Sequence, residues 1–341
     1  MVKKLPFVSV ITINLDDEKN TVNCLKSLEK IDYPNYEVIV VDNGSNLNSF
    51  HIVKNYLKKL KLKTKIIRLE QNKGFAEGNN IGVRASQARY IALLSNDTIV
   101  DKNWLKEMVK LMEEDEQTVL VGSEVNSIGS FYKKGKTIGG VISLFGEPIH
   151  YIPKDKTFTF MVSACSLLFR KSIVKEPFDK DYFAYGEDIA LSWLINLKGY
   201  KAKMAYKSRL DHIGGTTRRR LSKLVEFHGE KNKILNLLLF YESKTLIKLM
   251  PLIILNVLTT LIVSIPRGMF ATRIKSYVWL IKNRKKVMGK RKRIQKQRKF
   301  SDKEMFKNIS CHSPYTNNFL VNKLLELYCF IFRLPVLELR K

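Results

Sequence analysis

The sequence predicts an α/β fold, a mostly parallel central sheet flanked by helices, followed by a helical, basic C-terminal region. Three observations carry this expectation. The first 125 residues alternate short Val- and Ile-rich runs with segments of helical spacing, the pattern of repeated strand–helix–strand units. The runs are apolar at nearly every position, as in strands buried on both faces. Charge is uneven: residues 1–235 hold 38 basic and 27 acidic residues, residues 236–341 hold 22 and 5, within a net charge of +28. With 45% hydrophobic and 27% charged residues, wholesale disorder and fibrous repeats are excluded.

Phe7 to Asn14 opens the sheet. Two lysines precede it as in a secretory leader, but Pro6, the shortness of the run and the lack of a small-residue cleavage site favour a buried first strand. Glu18 to Lys30 predicts the first helix, Tyr36 to Asp42 the second strand, Asn48 to Leu60 the second helix and Thr64 to Glu70 the third strand. A helix over Ala76 to Ala88, a strand over Tyr90 to Ser95, a helix over Trp104 to Glu114 and a strand over Thr118 to Gly122 complete the alternation. Between Ile138 and Phe169 the glycines Gly139, Gly140 and Gly146 and Pro148 break the chain into short strands, an added mixed or antiparallel section. A helix over Asp188 to Leu197 stops at Gly199, and a strand follows over Lys201 to Tyr206.

Leu246 to Ile265 is strongly apolar but contains Lys248, Pro251 and Asn256. The 14 residues between Pro251 and Pro266 cover only about 21 Å of a roughly 30 Å hydrocarbon core. They read as a membrane-inserted or interfacial element, with a buried soluble helix as the alternative. Arg267 to Lys299 carries 14 Lys or Arg and no acid, interleaved with Tyr277 and Trp279, and Phe319 to Leu337 adds a second apolar stretch. The expected organisation is an α/β domain over 1–235 and a membrane-associating region over 236–341, lying on an anionic membrane surface at its cytoplasmic face. Cys24, Cys165, Cys311 and Cys329 are far apart with no Cys-x-x-Cys pair, against a zinc site or a disulfide framework.

Parallel sheets bind ligands beyond the carboxyl ends of their strands. Thr12 and Asn14 end the first strand, Asp42, Asn43 and Ser45 the second, and Ser95, Asn96 and Asp97 the fourth. Asp42 suits a base N–H or a ribose hydroxyl, and Asp97 suits a hard divalent cation bridging phosphates. Each is also an ordinary turn or cap residue. Their coincidence at one sheet edge points to a nucleotide.

Six strings then carry a resemblance: Val-Ser-Val-Ile-Thr-Ile-Asn at 8–14, Val-Ile-Val-Val-Asp-Asn-Gly-Ser at 38–45, Asn-Lys-Gly-Phe-Ala-Glu-Gly-Asn-Asn-Ile-Gly at 72–82, Leu-Leu-Ser-Asn-Asp-Thr at 93–98, Tyr-Gly-Glu-Asp-Ile-Ala-Leu at 185–191 and His-Ile-Gly-Gly-Thr at 212–216. In this order they resemble the inverting, GT-A fold nucleotide-sugar glycosyltransferases of family 2, in particular the rhamnosyltransferase-like branch. The resemblance implies that Asp42 contacts the nucleoside with Thr12 beside it, and that Gly74, Gly78, Asn79 and Gly82 form the loop and helix start near the nucleotide. It implies a metal motif reduced to Ser95-Asn96-Asp97, with Asp97 and His212 as ligands of Mg2+ or Mn2+. Asp188 is implied as general base and Glu187 as its acceptor-orienting or structural neighbour. Ser163-Ala164-Cys165 replaces the family's commoner Gly-Ala-Cys or Gly-Ala-Ser on the acceptor side, and Arg218, Arg219 and Arg220 either close over the diphosphate or form a solvated turn.

The implied reaction transfers a sugar from a nucleotide diphosphate donor, dTDP-rhamnose or a UDP- or GDP-sugar, to a hydroxyl of a cell-surface or lipid-linked glycan with inversion. Two rivals stand beside it. One is a nucleic-acid-binding protein using Arg284 to Lys299, which leaves the ordered strings unexplained. The other keeps the fold as a nucleotidyltransferase or an inactive sugar-binding subunit.

Overall fold

Val8–Asn14 (β1), Tyr36–Asp42 (β2) and Tyr90–Leu94 (β4) are buried almost throughout, while Lys63–Arg68 (β3) is half-exposed. These four strands, in the order β4-β1-β2-β3, are mutually parallel and set Asn14 opposite Asp42. The structure is a computed structural model and describes residues 5–128, 135–137, 139–150, 158–214, 222–312 and 319–337. Arg218, Arg219 and Arg220 lie outside the described residues.

Beyond β4 the sheet becomes mixed. After Thr118–Ser127 (β6) come the short strands Gly135–Thr137 (β7), Gly140–Ser143 (β8), Pro148–His150 (β9) and Phe158–Thr159 (β10), and β6 is separated from β4 by Ser166–Arg170 (β11), which runs antiparallel to both. Lys201–His212 (β12) then returns parallel to β6 and pairs with the short Thr98–Val100 (β5). His212 and the residues after β4 are thereby brought to one edge.

Helices Glu18–Leu28 (α1), Leu47–Leu57 (α2) and Trp104–Glu113 (α4) pack on the face that carries Val8, Val10, Val38 and Val40. Gly74–Ala85 (α3) and Glu187–Leu197 (α5) pack on the opposite face with Ile11 and Ile39. Glycines let α3 lie close to β1: a Cβ on Gly82 would sit 2.5 Å from Ile11 Cγ2, and one on Gly78 would sit 2.9 Å from Ile13 Cδ1.

The C-terminal region folds against this domain. Ser222–Phe240 (α6) runs through residue 235, and Ser243–Ser264 (α7), Phe270–Lys282 (α8) and Arg284–Lys296 (α9) follow. Leu249, Leu280, Val287 and Phe306 join the same core as Tyr182 and Trp193. Ile309–Ser310 extends Gly140–Ser143 as a parallel neighbour in a small second sheet. Pro251 does not end its helix: α7 continues through it for 22 residues, about 33 Å. The basic run is also less free than its composition suggests. Lys290 pairs with Asp179 and Asp181, Lys286 lies 2.6 Å from Asp181, and the buried Arg291 donates to the Tyr241 carbonyl at 2.6 Å.

Candidate active site

At the ends of β1 and β2 the polar residues form a closed network. Asn14 Nδ2 donates to Asp42 Oδ1 at 2.9 Å, Ser45 Oγ at 3.0 Å and Ser49 Oγ at 3.2 Å, and its Oδ1 accepts from Thr21 at 2.8 Å. Asn43 binds Asn72 Oδ1 at 3.1 Å and accepts from the Lys73 amide at 2.9 Å, which fixes the turn into α3. Gly74 holds that turn at φ +85°, where a Cβ would strike Phe183 at 2.6 Å. Asn79 donates to the Phe75 carbonyl of its own helix at 2.9 Å. Asn14, Asn43, Ser45 and Asn79 therefore spend hydrogen-bonding capacity on the scaffold. Thr12 Oγ1 and Asp42 Oδ2, both buried, have no partner. Such atoms gain from a ligand donor or hydroxyl.

The second corner lies after β4. Asn96 Nδ2 donates to Thr21 Oγ1 at 3.0 Å, tying this loop to the network of Asn14. Asp97 is 15% exposed and His212 18%, and Asp97 Oδ1 lies 3.2 Å from His212 Nε2. Asp97 Oδ2 accepts from the Gly214 amide at 3.1 Å. Burial alone would lower the His212 imidazole, but Cys165 and Asp97 outweigh it and hold it up to about 11. Among the described residues no three His, Cys, Asp or Glu side chains form a closed metal site. With its proton displaced, His212 would join Asp97 as a second donor of suitable chemistry.

The third corner is the start of α5. Glu187 is buried and its Oε2 has no partner; burial first, then the charge of Asp188, push its carboxyl up. Asp188 is also pushed up by burial, but the Ala164 amide donates to its Oδ2 at 3.3 Å and the Ile189 amide to its Oδ1 at 2.8 Å. Hydrogen bonds to a carboxylate favour its charged form, so these two amides oppose the rise at Asp188, while Glu187 Oε2 receives no such bond. Ala164 lies between Ser163 and Cys165, which with His150 and His212 line a cavity of about 170 Å³.

Residues 9–176 match the family model described as glycosyl transferase family 2. An uncharacterized glycosyltransferase of Haemophilus influenzae is 28% identical over 197 residues, 54% of this chain and 58% of that protein. The chain carries a family 2 glycosyl transferase domain over residues 9–176. A poly-β-1,6-N-acetyl-D-glucosamine synthase of Staphylococcus epidermidis is 24% identical over 201 residues, 58% of this chain and 47% of that protein. The chain thus spans about half the length of the curated relatives it matches. Among solved structures, GalNAc-T7 with UDP, GalNAc and Mn2+ superposes with a TM-score of 0.58 at 16% identity, covering 71% of this chain and 49% of that one, a likeness of GT-A fold.

The family match ends before Glu187, Asp188 and His212, which the fold brings to the matched half. Three neighbours of the site escape the sequence strings. The half-buried carboxyl of Asp17 is pushed up by burial, with the charge of Asp97 adding to the rise, Cys165 acts on His212, and His150 acts on Asp188. Asp17 alone had a signal, standing in the turn that follows β1.

Proposed function

We propose that the chain catalyses inverting transfer of a sugar from a nucleotide diphosphate donor to a hydroxyl of an envelope or lipid-linked glycan. The observation that carries this reading is the single cavity that joins His212, beside Asp97, to the Ser163–Cys165 segment whose Ala164 amide holds Asp188. The nucleoside end belongs by Asp42 and Thr12, whose buried atoms lack partners. Asp188 takes the proton of the acceptor hydroxyl. As it does so, that oxygen bonds to the anomeric carbon from the face opposite the donor phosphate, and the carbon–oxygen bond to the phosphate breaks, releasing a nucleoside diphosphate. Neutral Glu187 keeps a second negative charge away from the base.

Asp97 and His212 would hold Mg2+ or Mn2+. The donor set fits: one carboxylate and one imidazole, with no third His, Cys, Asp or Glu joining them among the described residues, are side chains that a hard divalent ion would accept. Such an ion supplies Lewis-acid stabilisation of the leaving diphosphate. The Mn2+ and UDP in the GalNAc-T7 structure support the same chemistry.

The C-terminal helices supply the membrane surface in this reading. Among the described residues α7 is one helix long and apolar enough to cross a membrane. Its inner side, however, packs on the protein: Asn256 accepts from Lys233 at 3.0 Å and the Thr260 carbonyl from Arg273 at 2.6 Å. Its outer stripe of Ile247, Ile254, Leu258 and Ile262 is exposed, and on Phe319–Ile331 (α11) so are Leu324, Leu327 and Phe330. The two helices touch: the Tyr328 hydroxyl of α11 donates to the Lys248 carbonyl, and Lys248 Nζ donates at 3.1 Å to the carbonyl of Phe332 just past α11. An interfacial platform at the cytoplasmic face suits this arrangement. The inward pairing of Lys286, Lys290 and Arg291 weakens the nucleic-acid alternative.

Screening UDP-, GDP- and dTDP-sugars, dTDP-rhamnose included, for hydrolysis and transfer with Mg2+ or Mn2+ tests the proposal. Nucleoside diphosphate release with an inverted anomeric product supports it; transfer of a nucleotidyl group, or no turnover of any donor, contradicts it.

A further inference from the structure

The segment that leads into Asp188 is strained. Phe183 (φ +62°) and Tyr185 (φ +68°) adopt left-handed backbone conformations that side chains disfavour, and Gly186 follows at φ +82°. Such a stretch persists only where its surroundings hold it, and its buried carbonyls need donors. Two side chains of α6, one turn apart, supply them. Asn232 Nδ2 lies 3.0 Å from the Tyr182 carbonyl, 3.0 Å from that of Ala184 and 2.6 Å from that of Tyr185. Asn236 Nδ2 donates to the Gly186 carbonyl at 3.2 Å, and its Oδ1 accepts from the Tyr182 hydroxyl.

Asn232, Asn236 and Tyr182 are all essentially excluded from solvent. Asn232 Oδ1 has no partner, so the residue's hydrogen bonding is spent on the donor side, toward this segment. The Gly186 carbonyl also accepts from the Ala190 amide at 3.0 Å, so Asn236 grips the first turn of α5, which contains Asp188. Behind the clamp α6 is itself anchored: Ser276 donates to the Phe227 carbonyl at 2.9 Å and Gln295 to the Leu239 carbonyl at 2.8 Å.

We infer that Asn232 and Asn236 are positioning residues that hold Tyr182–Gly186 in its strained form and so aim Asp188 at the acceptor. This rests on the reading of Asp188 as the base. It makes the C-terminal helices part of the catalytic apparatus, because α6 is packed between the sugar-transfer domain and α8 and α9.

The test compares Asn232→Leu, Asp188→Asn and the double variant in the full chain. Turnover is measured on whichever UDP-, GDP- or dTDP-sugar the wild type uses, with Mn2+-UDP binding and amide hydrogen exchange in parallel. The inference predicts a kcat lower by roughly 10- to 100-fold in Asn232→Leu, since small misplacements of a reacting group cost about that much. Donor KM and Mn2+-UDP affinity should stay within about twofold, and faster exchange should be confined to residues 180–190. In the Asp188→Asn background Asn232→Leu should cost almost nothing further, because its effect passes through Asp188. An unchanged kcat, a parallel loss of donor affinity, or a full additional loss in the double variant overturns the inference. Wild-type turnover in Asp188→Asn alone instead overturns the base assignment. Should exchange throughout the chain show that Asn232→Leu does not fold, Asn236→Ala is held to the same readouts.

Discussion

Gly82→Ala should destabilise the protein by about 1–2 kcal/mol, although alanine is the better helix former. The added Cβ would lie 2.5 Å from Ile11 Cγ2 and 3.3 Å from Val41 Cγ2. Neither atom is the far end of a flexible chain: both are methyls of β-branched residues, fully buried in adjacent strands. Separating α3 from β1 is overpacking of the kind that costs typically 1–3 kcal/mol, and the gain in helix propensity returns up to about 1. Gly229 supplies the control. It lies within α6, and a Cβ there meets nothing within 4 Å, so Gly229→Ala should stabilise by up to about 1 kcal/mol. Urea unfolding of the two variants and the wild type measures both. Because α3 begins at the turn fixed by Asn43, Gly82→Ala should also raise donor KM. A Gly82→Ala protein as stable as Gly229→Ala would refute close helix–strand packing as the reason for glycine at 82.

Asp97→Ala should weaken donor binding and turnover together, and excess chelator should reproduce the effect in the wild type; full activity in chelator would contradict a metal at Asp97 and His212. Glu187 should impose a pH dependence on stability. Its buried carboxyl is held up to about 8, so the native state retains a proton that the unfolded chain releases near 4.5. Its stabilising contribution is therefore present below about 4.5 and is lost as pH rises toward 8. Glu187→Gln should be more stable than the wild type at pH 8, with the gap closing by pH 4, as thermal unfolding across that range will show. Leu258→Asp combined with Leu327→Asp should abolish cosedimentation with anionic vesicles and leave donor hydrolysis in solution unchanged; undiminished binding would place the membrane contact elsewhere.

The strands that build the sheet were legible because β1, β2 and β4 bury both faces and read as unbroken apolar runs. β5 and the outer half of β12 were not, since Lys207, Arg209 and Asp211 break the apolar pattern there. Pro251 misled because a proline removes one helix hydrogen bond without always ending the helix, and α7 continues through it. The basic tail misled for a different reason. Composition counts Lys286, Lys290 and Arg291 as free charge, but their partners, Asp179, Asp181 and backbone carbonyls near the end of α6, are remote in sequence. At the candidate site, ordered strings singled out Asp42, Asp97, Glu187, Asp188 and His212 because each stands at or beside a strand or helix end. The Ala164 amide, Cys165, Asn232 and Asn236 carry no local signal, since their roles come from contacts made only on folding.

The central claim, that Asp188 is the base of a sugar transfer, is tested most directly by single-turnover kinetics of Asp188→Asn with nucleotide affinity measured on the same protein. Removal of a general base typically costs about 10²–10⁴ in rate. The account predicts a loss of that size with Mn2+-UDP affinity unchanged, because the proposed role of Asp188 is on the acceptor hydroxyl and the proposed nucleotide contacts are Asp42, Asp97 and His212. A rate within twofold of the wild type, or a loss explained entirely by weaker nucleotide binding, would contradict it.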